Sequence, residues 1–189
     1  ACTGKEGHKN TKKILSILSS QLDCLPSQIL IMSTGIIGRQ LPIKKIIKSI
    51  TSSDLNIFSD IKKAASAIMT TDKFPKHITK TYKIGSKKIT FRGICKGAGM
   101  IEPNMATMLS FIETNVDLPK SLLNKYLKIC ASLSFNSISV DGDMSTNDTV
   151  VFSSTGNIQL NMKNKSVESN FISCASDFFI RLSLSLIHI

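Results

Sequence analysis

The sequence predicts an α+β domain, and three observations carry that expectation. Apolar residues recur at helical spacing over the first part of the chain, the period changes to two from Lys76, and helices and strands then mix without a regular βαβ alternation. With 189 residues, 42% hydrophobic and 20% charged, the chain suffices for one domain with a sizeable core.

Taken in order, NTKKILSILSSQLD places Ile14, Leu15, Ile17, Leu18 and Leu22 on a helical face behind Asn10 and Thr11 as caps, so a first helix is expected there. QILIMSTGIIG is a short apolar run that reads as a buried strand stopping in a turn at Thr34-Gly35. After Pro42, residues Ile43, Ile46, Ile47 and Ile50 mark a second helix, and Ile57, Phe58, Ile61, Ala64, Ala65 and Ile68 mark a third. HITKTYKIGSKKITFRGICKG alternates through Ile78, Lys80, Tyr82 and Ile84, turns at Gly85-Ser86 and resumes, which predicts a hairpin. TMLSFIETNV predicts a strand, LPKSLLNKYLKICASLSF a helix begun by Pro119, TVVFSSTG a strand and VESNFISCASDFFIRL a final helix.

A net charge of +11 raises the question of a nucleic-acid partner. Arginine, the usual reader of phosphates and bases, occurs only at Arg39, Arg92 and Arg181, and the lysines are scattered without aromatic interleaving, so a nucleic-acid-binding module is the minor reading. No run approaches the roughly 20 apolar residues of a membrane span. The opening ACTGKEGHKN lacks the features of a signal peptide, so a soluble, cytoplasmic protein is the expectation. The five cysteines are far apart and the three histidines have no metal-ligand spacing, which argues for reduced thiols and no metal.

The segment KGAGMIEPNMATML, residues 96–109, holds the chemistry that remains. Its glycines do not complete a phosphate-binding loop, since Glu102 stands where a third glycine is needed and no G-K-[ST] follows. DGDMSTND (141–148) resembles a calcium loop at Asp141, Asp143 and Ser145 but lacks the sixth-position glycine and closing glutamate. Thr107 is a candidate nucleophile: threonine enzymes commonly place the hydroxyl at a chain N-terminus, where its own amine serves as base, and that requires cutting after Ala106. A buried threonine capping a strand is the plainer alternative.

KGAGMIEPNMATML, with ACTGKEG, STGIIG, AIMTTDKFPK and VDGDMSTNDT in this order and at these separations, resembles the ornithine acetyltransferase family, the bifunctional glutamate N-acetyltransferases of arginine biosynthesis. The resemblance runs from residue 1 to about residue 181. It implies a layered α/β sandwich of the self-processing type, here incomplete at both ends. It also implies self-cleavage between Ala106 and Thr107, so that residues 1–106 are the C-terminal part of an α chain and 107–181 the N-terminal part of a β chain. Residues 182–189 read as an atypical tail. Thr107 matches the family's nucleophile, which takes an acetyl group from N-acetylornithine and passes it to glutamate. Thr34 and Gly35 match its oxyanion-hole pair, while Thr70 and Lys96 match substrate contacts, with Thr71 as a neighbouring alternative to Thr70. The DGDMSTND loop carries no catalytic role and reads as a turn supporting the site. No cofactor or metal is implied, although some members use acetyl-CoA as a donor, and the α and β chains are expected to form a heterotetramer. Family chains are longer and carry further substrate-binding residues C-terminally, so this chain alone is expected to be inactive. An amide hydrolase or aminopeptidase on the same scaffold is the alternative enzyme reading.

Overall fold

A computed structural model of the protein describes residues 2–54, 60–97, 108–138 and 145–187. Its helices are α1 (Gly4–Gln21), α2 (Ile43–Ser52), α3 (Ile61–Ala67), α4 (Lys120–Ser132) and α5 (Lys165–Leu184), and its strands are β1 (Lys76–Ile84), β2 (Lys87–Lys96), β3 (Leu109–Val116) and β4 (Thr149–Ile158). The strands form one sheet in the order β1-β2-β3-β4, antiparallel at the first two pairings and parallel at the third. A mixed α+β architecture is therefore present, as the change of period predicts.

Local chemistry explains the hairpin and several helix ends. Gly85 takes a φ of +60° at the first position of the two-residue β1–β2 turn, a conformation that glycine adopts without steric cost. Asn164 caps α5 by accepting from the amides of Ser166 and Val167, and Pro119 stands before α4, where a missing N–H costs nothing.

The period of two in β2 then sorts its side chains between the two sheet faces. Ile89, Phe91 and Cys95 turn toward α4 and α5, where they join Ile112, Val116, Tyr126, Phe171, Phe178, Phe179 and Leu182 in one buried cluster. The Phe91 ring lies 5.5 Å from Phe178 and 5.6 Å from Phe171, the separation of favourable aromatic pairs. Gly93 belongs to the same row, and a Cβ there would stand 2.7 Å from Leu182 Cδ2 and 3.0 Å from Phe178 Cε1. Both neighbours are fully buried, so neither has room to move aside. Gly93→Ala is expected to destabilise the folded protein by about 1–3 kcal/mol, read as a lower denaturant midpoint at an unchanged slope.

Four expectations are corrected or extended. The strand expected over 28–38 is absent: a 3-10 turn at Pro26–Gln28 leads into chain without strand pairing, and the turn falls at Ile37-Gly38 rather than at Thr34-Gly35. Leu30 is 75% exposed, so the apolar run is not buried as a strand interior would be. Helix α1 begins well before Asn10, because Gly7 is the only poor helix former between Gly4 and Asn10. Helix α3 is shortened at its start because the Asp60 carboxylate accepts from the Lys62 amide and caps it there; Ile57 and Phe58 lie outside the described residues. Beyond Arg181 the chain continues as helix to Leu184, with Leu182 fully buried and Leu186 5% exposed, so the described residues just past the motifs pack into the core. Among the described residues α4 and α5 supply a helical layer on the sheet, and the full layered sandwich goes beyond them.

Candidate functional site

Lys96 ends β2, directly opposite Leu109 at the start of β3. Strand alternation turns it, with Ile94, away from the Phe91–Cys95 face. Its side chain is completely buried, and its ammonium donates to Thr34 Oγ1 at 3.0 Å and to Thr70 Oγ1 at 3.3 Å. These partners lie 62 and 26 residues away in sequence. The structure thus brings together three of the residues singled out by the motifs, and the threonine hydroxyl of that motif that Lys96 meets is the one on Thr70. Gly35 follows Thr34 in the same partly buried segment.

A buried ammonium is expensive unless its surroundings compensate it. Burial pushes the Lys96 pKa below the ordinary lysine value, the Asp72 and Asp148 carboxylates pull it back up, and Lys76 opposes them. Asp72 is itself enclosed. Burial alone would raise its pKa, but hydrogen bonds from Lys76 and from the Gly97 and Thr70 amides outweigh that and hold it below the usual carboxylate value. A carboxyl so depressed contributes stability above its unfolded pKa and loses it as pH falls through the folded value.

The chain on either side of residues 98–107 is fixed at two adjoining points. Gly97 donates its amide to Asp72 and accepts from Lys76 Nζ at 2.9 Å, while the Met108 amide donates to Asp148 at 2.9 Å. A Cβ on Gly97, whose φ is +146°, would lie 3.7 Å from Met108 Cα, so the two flanks meet beside Lys96. Met108 is the residue bonded to Thr107. Ala106 and Thr107 themselves, like residues 139–144 of the expected supporting loop, lie outside the described residues.

The described end of that loop ties the site together. Asn147 Nδ2 donates to the Ser33 carbonyl at 3.3 Å and Asp148 holds Met108, so adjacent residues join the Thr34 segment to the start of β3. Ser33 and Asn147 also line a cavity of about 290 Å³ with Thr3, His8, Thr11 and Gln40. The sequence alone assigns no individual role to Asp72, Lys76, Asn147 or Asp148. Their signal was membership of the AIMTTDKFPK and VDGDMSTNDT motifs.

Among the described residues, no group of three or more histidine, cysteine, aspartate and glutamate residues is arranged to hold a metal. Burial pushes the Cys95 thiol up to about 11 and raises Cys130 as well, which keeps both protonated and poorly nucleophilic. No described helix is long and apolar enough to cross a membrane.

Comparison with known proteins gives this geometry a family. The ArgJ family model matches residues 1–188, past the point where the motifs themselves stop. A protein of Dictyostelium discoideum named arginine biosynthesis bifunctional protein ArgJ, mitochondrial, is 53% identical over 156 residues, covering 82% of this chain and 35% of its own length. The bacterial arginine biosynthesis bifunctional protein ArgJ of Caldanaerobacter subterraneus subsp. tengcongensis is 43% identical over 157 residues, covering 82% of this chain and 39% of its own length. The chain therefore spans well under half the length of these relatives. A solved structure, the PH0078 protein from Pyrococcus horikoshii OT3, aligns at a TM-score of 0.46 and 14% identity over 79% of this chain and 50% of its own, too loosely to bear on fold or function. On the family match and the identities to its curated relatives, this chain belongs to the ArgJ family.

Proposed function

We propose that the chain is part of an acetyltransferase of arginine biosynthesis that moves an acetyl group from N-acetylornithine to glutamate through Thr107. One observation carries the reading most strongly: Lys96 draws Thr34 and Thr70 to a single point where the chain departs into and returns from the segment 98–107. Residues from three distant motifs converge beside the start of β3, two residues past Thr107 in sequence.

The chemistry follows from the donors present. Cleavage after Ala106 frees the Thr107 amine, which then takes the proton of the Thr107 hydroxyl as the oxygen attacks the acetyl carbonyl of N-acetylornithine. Collapse of the tetrahedral intermediate breaks the C–N bond and returns a proton to the departing amine of ornithine. The glutamate amine attacks the resulting acetyl ester, and N-acetylglutamate leaves as the hydroxyl re-forms. Each tetrahedral stage carries an oxyanion. Because an ammonium only donates, Thr34 Oγ1 accepts from Lys96, and its own proton is left to point at that oxyanion with the Gly35 amide. The hydrogen bond from Lys96 also polarises the Thr34 hydroxyl and makes it a better donor. A third N–H of Lys96 faces the substrate carboxylate, and Thr70 holds the ammonium in that orientation.

In this reading no cofactor takes part, and acetyl-CoA is an alternative donor. The cut halves stay together and pair as a heterotetramer in this reading. The compartment expected from sequence, the cytoplasm, is weighed against relatives from Dictyostelium and Candida that are named mitochondrial.

Thr34→Ala tests the oxyanion role. In the full-length protein it is expected to lower kcat by about 10²–10³-fold with little change in KM, the pattern of an interaction made in the transition state. Loss confined to KM would assign Thr34 to ground-state binding instead.

A further inference from the structure

Asp72 and Lys76 take no part in the steps above, yet both are buried beside them, with side chains 1% and 3% exposed. Their hydrogen bonds go to the site. The Asp72 carboxylate accepts from Lys76 Nζ, from the Gly97 amide at 2.8 Å and from the Thr70 amide at 3.3 Å, and Lys76 also donates to the Gly97 carbonyl at 2.9 Å. Both backbone groups of Gly97 are thereby gripped by one ion pair. Lys96 stands between the gripped points, bonded covalently to Gly97 and through one hydrogen bond to Thr70.

We propose that the Asp72–Lys76 pair is the positioning device of the acetyl-transfer site: it locks the Thr70 and Gly97 backbones in one geometry and sets two fixed charges of opposite sign before the Lys96 ammonium. The inference rests on the substrate-binding role proposed for Lys96. Stability alone gives a poor reason for such a pair, since well-packed apolar residues commonly replace a buried ion pair without loss. Positioning gives a better one, because the three hydrogen bonds described for the pair outside its own contact all end on the backbone of Thr70 and Gly97.

The opposite signs make the proposal testable. Among the described residues, the charges acting on Lys96 are Asp72 and Asp148, which favour its ammonium form, and Lys76, which disfavours it, as burial does. A protonated Lys96 is needed to hold a carboxylate, so kcat/KM for N-acetylornithine falls as pH rises through the Lys96 pKa. Asp72→Asn removes an attraction and is expected to move this alkaline limb to lower pH. Lys76→Met removes a repulsion and is expected to move it to higher pH. Each shift is on the order of one pH unit, and the double variant falls between them. Titration of the substrate's own groups is common to all variants and cancels in the comparison.

The experiment is a pH profile of kcat/KM on the full-length protein and the three variants, with folding checked by circular dichroism. Shifts in opposite directions support the inference, and shifts in one direction or none overturn it. Should Asp72→Asn fail to fold, Lys76→Met alone decides: an upward shift supports the proposal, and an unmoved or lowered limb overturns it. A wild-type protein without acetyl transfer would remove the reading of the site and this inference with it, whereas an active wild type with unshifted variants removes the inference alone.

Discussion

Thr107→Ala is expected to leave the full-length protein as one uncut chain and to lower acetyl transfer from N-acetylornithine to glutamate by about 10⁴-fold or more, the scale of losing the nucleophile in other covalent enzymes. In the proposed mechanism alanine removes the hydroxyl that attacks the Ala106 carbonyl, so no ester would form and no Thr107 amine would be released. The two effects share one cause. They are separable with Thr107→Ser, which retains a hydroxyl and is expected to cut and transfer measurably. Electrophoresis and intact mass read the cut, and a coupled assay reads the transfer. An uncut Thr107→Ala chain with wild-type activity would contradict the mechanism.

Lys96→Met raises KM for N-acetylornithine by about 10–100-fold, the worth of a charge-assisted hydrogen bond, and lowers kcat as the Thr34 hydroxyl loses its partner. Methionine retains most of the buried length of the lysine, so the packing at the end of β2 is largely kept. A substrate analogue separates the charge from the packing. Replacing the substrate carboxylate by a carboxamide weakens its reaction with the wild-type protein, and the same replacement costs little further in Lys96→Met. Equal losses in both proteins would show that Lys96 does not face the carboxylate.

Much of the fold was legible because its signals are local. The β1–β2 hairpin follows from alternation broken by Gly85, and α4 from the apolar spacing behind Pro119. The run 28–38 misled because apolar content alone does not make a strand, which also needs a neighbour to accept its backbone hydrogen bonds. Leu182, just past Arg181, is a different case: it looks arbitrary in sequence, and its packing partner is the bare Gly93 it covers on β2. Long-range complementarity of that kind leaves no mark on either segment alone.

The candidate site was legible only as a set of motifs. Lys96 by itself resembles any of the other lysines in a strongly basic chain, and what distinguishes it is complete burial against two hydroxyls from remote segments. Asp72 and Lys76 sit four residues apart, a spacing that also suits an ordinary surface pair. Their importance appears only when the fold carries Gly97 into contact with both.

The central claim is that Thr107 carries the acetyl group between substrates. Its most direct measurement is the intact mass of the cut full-length protein after incubation with N-acetylornithine in the absence of glutamate. The fragment that begins at Thr107 is predicted to gain the mass of one acetyl group, located on Thr107 by fragmentation and lost on adding glutamate. An active protein whose fragment never gains that mass, or gains it at another residue, would contradict the account.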